Sequence, residues 1–412
     1  MTNLILIADF LVVLLLSPWF GMMALVVIAA SWGRLFGGRT DSRTNPTSRF
    51  LLVIPAHDEA GVIAITVRSC LAVDYDPERF QVFVIADNCT DDTAGIAEAA
   101  GARVMVRHDP SRKSKGFALE DFFRGVADDP AIRPFDAFVL VDADTSVAAD
   151  LLQAFDRSLR QGDDFVQGYY TVRNADASWR TRMMTYAFSL ANGVWLAGLD
   201  QLGLSVGLKG NGMCFRASAL ERFPWQAHGL VEDMEFAWNL RIGGERVRFQ
   251  PAARVYGEMV SRGGSGAASQ RRRWESGRKA LRTTFRRELR ASPYLSWVRK
   301  AAYQLDLDFP PLSRLLVGLG VASAIAGPAV LLEGSMSTFG VGLLAILAVF
   351  WVIFASYALS PIFAINLPIR YLLSLAYLPY YIIWKTAIGL LKKPQSWVRT
   401  PREATPAGPS NR

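Results

Sequence analysis

The chain has 412 residues, 51% of them apolar, with 45 Lys and Arg against 37 Asp and Glu for a formal net charge of +8. A disordered tail or a fibrous repeat needs far fewer apolar residues or a strict period, so both are excluded. The apolar excess is concentrated at residues 4–32 and 312–391, and the stretch between them reads as an ordinary water-exposed domain.

Leu4 to Ala30 contains one charge, Asp9, and is long enough at about 1.5 Å per residue to cross a hydrocarbon core of about 30 Å. A cleaved signal peptide fits poorly, because no Lys or Arg precedes the run and the run exceeds an h-region of about 7 to 15 residues. Arg34, Arg39, Arg43 and Arg49 follow closely. The positive-inside rule therefore places the N-terminus outside and the central domain in the cytoplasm, at the inner (plasma) membrane.

From Arg49 onward, short apolar runs alternate with helical patterns: 50–54 then 61–72, 81–85 then 93–100, 104–106 then 116–126, and 137–141 then 149–159. This alternation predicts an α/β domain with a mostly parallel, Rossmann-like sheet covered on both faces. Ligands are expected at the carboxyl ends of the strands. The unusual polar residues fall there: Pro55-Ala56-His57-Asp58-Glu59, Asp87 with the acids after it, and Asp142-Ala143-Asp144. No GxGxxG follows the first strand, which weakens a dinucleotide-dehydrogenase reading.

Asp142 and Asp144 form a close carboxylate pair, which suits a hard divalent cation that keeps positions for phosphate oxygens. A turn or helix cap is the alternative for the pair, and an Asx-turn is the alternative for Asp87. Lys115 stands just before a helical pattern, where a cation opposes the helix dipole unless an anion is bound; a solvated basic loop is the alternative. Glu232 and Asp233 open another helical stretch, either as acids that complement its dipole or with Asp233 as a general base.

In Gln270-Arg271-Arg272-Arg273-Trp274, a helix puts Gln270, Arg273 and Trp274 on one face. That face offers an amide, a guanidinium fork suited to diphosphate and an indole plane suited to a sugar ring. Six further Lys and Arg residues up to Arg290 suit anionic lipid. No nucleic-acid recognition module accompanies them, so nucleic acid is not an expected partner. Leu312–Leu332 and Phe339–Leu359 predict a membrane hairpin joined by Glu333–Ser337. Ile369–Leu391, interrupted by Arg370 and Lys385 and rich in Tyr and Trp, predicts an interfacial or re-entrant segment with a cytoplasmic C-terminus, a full span being the alternative. Cys70, Cys89 and Cys214 lack CxxC spacing, so free thiols are expected and zinc has no ligand cluster.

Taken in order, Asp87, Asp142-Ala143-Asp144, Glu232-Asp233 and Gln270-x-x-Arg273-Trp274 resemble the D, DxD, ED, QxxRW signature of membrane-bound family 2 glycosyltransferases, in the branch of cellulose, chitin-oligosaccharide, hyaluronan and poly-N-acetylglucosamine synthases. The resemblance implies a GT-A fold and an inverting transfer from a nucleotide sugar, usually a UDP-sugar. It implies that Pro55, His57, Glu59 and Asp87 hold the uridine side. Asp142 would face the diphosphate, with Asp144 and Asp142 at Mg²⁺ or Mn²⁺. Asp233 would be the base, Lys115 and Arg273 would stabilise the leaving diphosphate, and Gln270 and Trp274 would complete the site, with Trp274 stacking at the acceptor sugar.

Two features depart from that pattern. Ser114 stands where the phosphate loop usually has the first Gly of GKG, and Ser205–Phe215 replaces an FFCGS-type acceptor loop. The expected division is a membrane helix at 1–33, a catalytic domain at 49–275, a basic interfacial region at 276–310, a hairpin at 311–360 and a final membrane segment with a basic tail at 361–412. The expected acceptor is a growing β-linked polysaccharide, or alternatively a lipid-linked sugar receiving a single transfer. An inactive scaffold or nucleotide sensor is the third reading.

Overall fold

The computed structural model describes residues 2–36, 46–126, 134–259, 265–332 and 338–380, with backbone alone over 265–275. In chain order the elements begin with α1 (Thr2–Phe36), β1 (Phe50–Ala56), α2 (Ile63–Leu71), β2 (Phe80–Asp87), α3 (Thr93–Ala99), β3 (Arg103–Arg107), α4 (Lys115–Val126), β4 (Ala137–Leu140) and β5 (Thr145–Val147). There follow α5 (Leu151–Arg160), β6 (Phe165–Val172), α6 (Trp179–Phe188), α7 (Trp195–Gln201), β7 (Met213–Arg216), α8 (Ala217–Arg222), α9 (Glu232–Ile242) and β8 (Val247–Gly257). The chain then forms α10 (Ser265–Ala291), α11 (Trp297–Asp308), α12 (Leu312–Leu332), α13 (Thr338–Ala364) and a 3₁₀ segment, Ile369–Tyr377.

The strands form one sheet in the order β3-β2-β1-β4-β7-β6-β8-β5. Pairing makes β1, β2, β3, β4, β6 and β8 parallel to one another, with β7 and β5 reversed. Phe50–Ala56 and Phe80–Asp87 are buried almost throughout, which is why they read as continuous apolar runs rather than alternating ones. β4 and β5 lie four places apart in the sheet although only residues 141–144 separate them in sequence. The sheet therefore curls, and Asp142 and Asp144 occupy the link across the curl. Each strand and helix expected between residues 50 and 159 is present to within two residues at each end.

Among the described residues, three helices are long and apolar enough to cross a membrane: Leu4–Leu35, Leu312–Leu331 and Thr338–Ala364. α1 packs against α12 and α13, with Phe20 stacked on Phe350 at 4.3 Å and the Trp351 indole N–H donating to Ser323 Oγ at 3.0 Å. Leu11, Leu14, Leu15, Val321, Ile325, Val349 and Val352 point outward, an apolar belt that suits acyl chains. The Glu333–Ser337 link lies outside the described residues.

At about 1.5 Å per residue the 35-residue α1 is about 52 Å long and outruns a hydrocarbon core of about 30 Å. Its later turns pack on α7 instead. Gly198 makes this possible, since a Cβ there would lie 2.4 Å from the Val26 carbonyl oxygen. α7 continues α6 through a π-helical turn, Ser189–Val194, and Ser178 caps α6 with a reciprocal capping box. The 3₁₀ segment lies on α6: Trp179 stacks on Tyr377 at 5.0 Å and Arg370 pairs with Asp176 at 3.1 Å. It buries Tyr371 and Ser374 while exposing Ile369, Leu373 and Tyr377. The rest of the expected final membrane segment, from residue 381, lies outside the described residues.

Gly198→Leu should wedge α1 away from α7 and destabilise the detergent-extracted protein by about 1–3 kcal/mol, the usual range for overpacking. Gly21→Leu, at a position where a Cβ meets nothing within 4 Å, should melt close to the parent. Thermal unfolding of both variants checks the contact, and equal melting temperatures would contradict it.

Candidate active site

The site forms where the curl of the sheet meets the amino ends of α4 and α9. Lys115 is the first residue of α4. Its Nζ donates to Asp142 Oδ1 at 2.5 Å and to the Gly210 carbonyl at 2.6 Å. The anion that a cation in this position calls for is thus supplied in part by the protein itself. Ser114, the departure from the glycine pattern, accepts the Phe117 N–H on its Oγ at 3.3 Å, which caps the helix start. Gly116 is obligatory, because a Cβ would lie 2.1 Å from the Ala227 carbonyl oxygen; it brings α4 against the loop that leads into α9.

The Ser205–Phe215 segment is braced by two buried amides. Asn211 accepts the Asp142 N–H at 3.2 Å and donates to Thr145 Oγ1 at 2.7 Å. Gln167 donates to the Asn211 carbonyl at 2.9 Å and accepts the Lys209 N–H at 2.8 Å. Gly210 is left-handed at φ 78°, and a Cβ there would sit 3.4 Å from Asp233 Oδ2. The glycine loop therefore lies against Asp233 in the first turn of α9.

Burial pushes the Glu232 carboxyl up to about 7, with Lys115 opposing and Asp233 adding to the rise. Burial also raises Asp233, against the pull of Lys115 and Lys209. For Lys115, burial works against its charge, but Asp142, Glu232 and Asp233 outweigh it and hold the ammonium above its ordinary value. A raised pair of acids beside a cation is the arrangement in which one carboxylate is ready to accept a proton near neutral pH.

On the other flank, Asp87 ends β2 with Oδ1 held by Arg107 at 2.6 Å and by Asn88 Nδ2 at 2.8 Å. Burial raises its carboxyl, with Arg107 opposing. His57 Nδ1 lies 2.7 Å from the Asp87 carbonyl oxygen, and Pro55 is in register with Ile85 on β2. The Glu59 N–H donates to Thr93 Oγ1 at 2.8 Å. Asp58 and Asn88 both have left-handed backbones, at φ 55° and 51°. The loops after β1 and β2 are therefore tied together, and Pro55, His57, Glu59 and Asp87 share one end of the sheet.

Asp58, Cys89 and Asp91 bring ligand atoms within 4.8 Å of one another, but Asp58 already accepts the Thr90 N–H at 2.6 Å and Asp91 accepts the Thr93 N–H at 3.0 Å. Burial also raises the Cys89 thiol, so this set holds a loop together rather than offering thiolate to a metal. Asp142 and Asp144 present oxygen donors alone, which fits a hard divalent ion better.

The expected QxxRW residues, Gln270, Arg273 and Trp274, lie on α10 as a helix, as their spacing requires; their side chains are outside the described residues. A Cβ on Gly277 would lie 2.5 Å from Val231 Cγ2, so α10 abuts the residue just before Glu232, within two turns of the motif. Sequence reasoning passed over Arg107, Gln167 and Asn211. Arg107, at the carboxyl end of β3, was open to the same strand-end rule that singled out Asp87. His228 was also passed over; it pairs with Glu120 at 2.9 Å and stacks on Phe117 at 4.2 Å, fastening the loop before α9 to α4.

Comparison with known proteins follows the same lines. Residues 46–277 match the family model described as glycosyltransferase like family 2. The chain is 33% identical over 66 residues to the Cellulose synthase 1 catalytic subunit of Komagataeibacter xylinus, covering 16% of this chain and 9% of the relative. It is 28% identical over 214 residues to Glycosyltransferase AglD of Haloferax volcanii, covering 49% and 31%. It is 25% identical over 236 residues to Beta-monoglucosyldiacylglycerol synthase of Nostoc sp., covering 55% and 48%. The chain thus spans less than half the length of these relatives. A mannosyltransferase from Pyrobaculum calidifontis, solved with GDP-Man and Mn²⁺, superposes with a TM-score of 0.52 over 93% of this chain and 99% of its own at 16% identity, a likeness of fold. The α/β domain with its curled, mostly parallel sheet has the GT-A fold, and the chain belongs to glycosyltransferase family 2.

Proposed function

We propose that the protein is an inverting glycosyltransferase that moves a sugar from a UDP-sugar to an acceptor hydroxyl at the cytoplasmic face of the plasma membrane. The observation that carries this is the convergence of Asp142, Lys115, the Gly210 carbonyl and the Glu232–Asp233 pair on one spot, from segments far apart in sequence. One acid pair near a cation suited to phosphate and a second pair whose carboxyls are raised above the ordinary range divide the labour of donor binding and proton removal.

In the step proposed, the acceptor O–H gives its proton to Asp233 while its oxygen forms a bond to the anomeric carbon. The bond from that carbon to the diphosphate breaks, and its electron pair leaves with UDP. Lys115, and Arg273 from α10, would face the charge that develops on the diphosphate. Asp142 and Asp144 would hold Mg²⁺ or Mn²⁺, an ion that supplies further neutralisation of that charge. Asp87, Pro55, His57 and Glu59 would hold the nucleoside, and Trp274 and Gln270 the sugar side.

The acceptor is read first as a growing β-linked polysaccharide, from the QxxRW spacing and the flanking membrane helices. Single transfer to a lipid-linked acceptor is the second reading. It is supported by only three candidate spans among the described residues and by a relative named for glycolipid synthesis. An inactive scaffold fits less well, since a carboxyl pair raised by burial beside a cation is the arrangement expected of a general base.

Asp233→Asn should lower UDP release by about 10²-fold or more, the usual worth of a positioned base, while calorimetry shows UDP binding little changed; turnover like the parent would remove Asp233 from this role. Chelation should stop UDP release and added Mn²⁺ should restore it, whereas Asp144→Ala should not respond to Mn²⁺. The rate should climb with pH toward neutrality as the acid pair ionises, because both members are raised above ordinary carboxylates. Glu232→Gln removes one negative neighbour and should move that limb to lower pH, a shift read from kcat/KM profiles.

A further inference from the structure

Two lysines flank the Glu232–Asp233 pair, and they are treated differently. Lys115 places two of its three ammonium N–H groups, on Asp142 and on the Gly210 carbonyl. Lys209, partly buried in the glycine loop, has its backbone N–H pinned by Gln167 at 2.8 Å, yet its ammonium makes no hydrogen bond or ion pair among the described residues.

The charged groups around Lys209 are Asp233 of α9, Asp306 of α11, Arg278 of α10 and Arg241 of α9. Asp306 is already spent: Oδ2 takes Arg241 at 2.8 Å and Oδ1 takes the Trp195 indole N–H at 3.0 Å. Arg241 is itself fixed, donating to the Ser205 carbonyl at 2.8 Å and lying over Trp238 and Tyr303. Tyr303 in turn accepts the Ser205 N–H at 2.9 Å. The loop is thus rigidly braced, and it holds out a cation with another, Arg278, beside it. Burial pushes the Lys209 ammonium down to about 8, with Asp306 opposing and Arg278 adding. A partly buried charge without a partner is unfavourable unless a ligand of opposite sign completes it.

We propose that Lys209, assisted by Arg278, receives a phosphate group carried by a membrane-lipid acceptor. This rests on the reading of Asp233 as the base and on the second reading of the acceptor, a lipid that receives a single transfer. The course of the chain favours a lipid: Lys115 and Asp142 are assigned to the diphosphate, whereas Arg278 and Asp306 belong to α10 and α11, which lead into the long apolar helix α12. An ammonium is a compact point charge suited to phosphate, and a guanidinium adds directional donors. The phosphate serves recognition only. The acceptor hydroxyl still loses its proton to Asp233, its oxygen bonds to the anomeric carbon, and the electron pair of the broken bond leaves on UDP.

The test uses the full chain in neutral phosphatidylcholine nanodiscs saturated with UDP and Mn²⁺. Binding of lysophosphatidic acid is compared with that of monoacylglycerol, and glycerol 3-phosphate serves as the soluble phosphate. The parent should bind lysophosphatidic acid at least about tenfold more tightly than monoacylglycerol, within the worth of a hydrogen bond to a charged group, and more tightly than glycerol 3-phosphate. Lys209→Met should erase that preference, Lys209→Arg should keep it, and UDP affinity should stay the same in both. Equal binding of the two lipids, a preference that survives Lys209→Met, or glycerol 3-phosphate binding as tightly as the lipid would overturn the proposal. Loss of UDP binding in Lys209→Met would move the lysine to the diphosphate and overturn it too. Failure of the parent to bind UDP at all would instead count against the donor reading, which the lipid comparison does not depend on.

Discussion

One ammonium group organises the centre of this protein. Lys115 Nζ is bonded to Asp142 at the end of the β4 strand and to the Gly210 carbonyl in the glycine loop, and it is the main cation felt by both Glu232 and Asp233. Three carboxylates gathered around one charge repel each other, and in a partly buried site that repulsion is poorly screened. The lysine keeps the assembly from driving its acids apart, while burial, with a smaller contribution from the neighbouring carboxylates, leaves both members of the acid pair raised. A site balanced in this way gains from further positive charge at Asp142 and Asp144, which is the condition that makes a divalent ion with a diphosphate a fitting ligand.

The rest of the architecture supports that balance. The curled sheet places the Asp142–Asp144 link opposite the glycine loop, and Gln167 and Asn211 lock the two together through buried amides. Arg241 then connects α9 to α11 through Asp306 and to the glycine loop through Ser205. Because α11 leads directly into α12, the bundle of long apolar helices and the acid pair are connected through α9 and α11. Gly198 lets α1 meet α7 closely, so the α/β domain and the bundle also touch there.

Much of this was legible in the sequence, for identifiable reasons. Strands buried on both faces leave apolar runs that need no partner to be seen, and strand ends mark ligand positions whatever the strand order; hence Asp87, Asp142 and Asp144 stood out. Asp233 was legible through its place in a helix start and a motif. What was hidden is what topology alone decides. The partners of Lys115 lie 27 and 95 residues away, and no local pattern signals that the sheet curls to bring them together. Gln167 and Asn211 looked like ordinary polar residues, because a buried amide is recognised only by the backbone groups that close around it. Lys209 was passed over for the same reason, as its neighbours come from three helices. The π-helical turn between α6 and α7 leaves no trace in a 3.6-residue periodicity.

The central claim is that a partly buried acid pair shares the field of Lys115, and infrared titration of the ligand-free protein tests it most directly. The account predicts a protonated carboxyl band that disappears with an apparent pKa of about 7. The band should be absent in Glu232→Gln and should persist to higher pH in Lys115→Met, since removing the cation disfavours the ionised form. A protein whose carboxyl groups are all ionised by about pH 5, near the ordinary range of Asp and Glu, or a band indifferent to Lys115→Met, would contradict it.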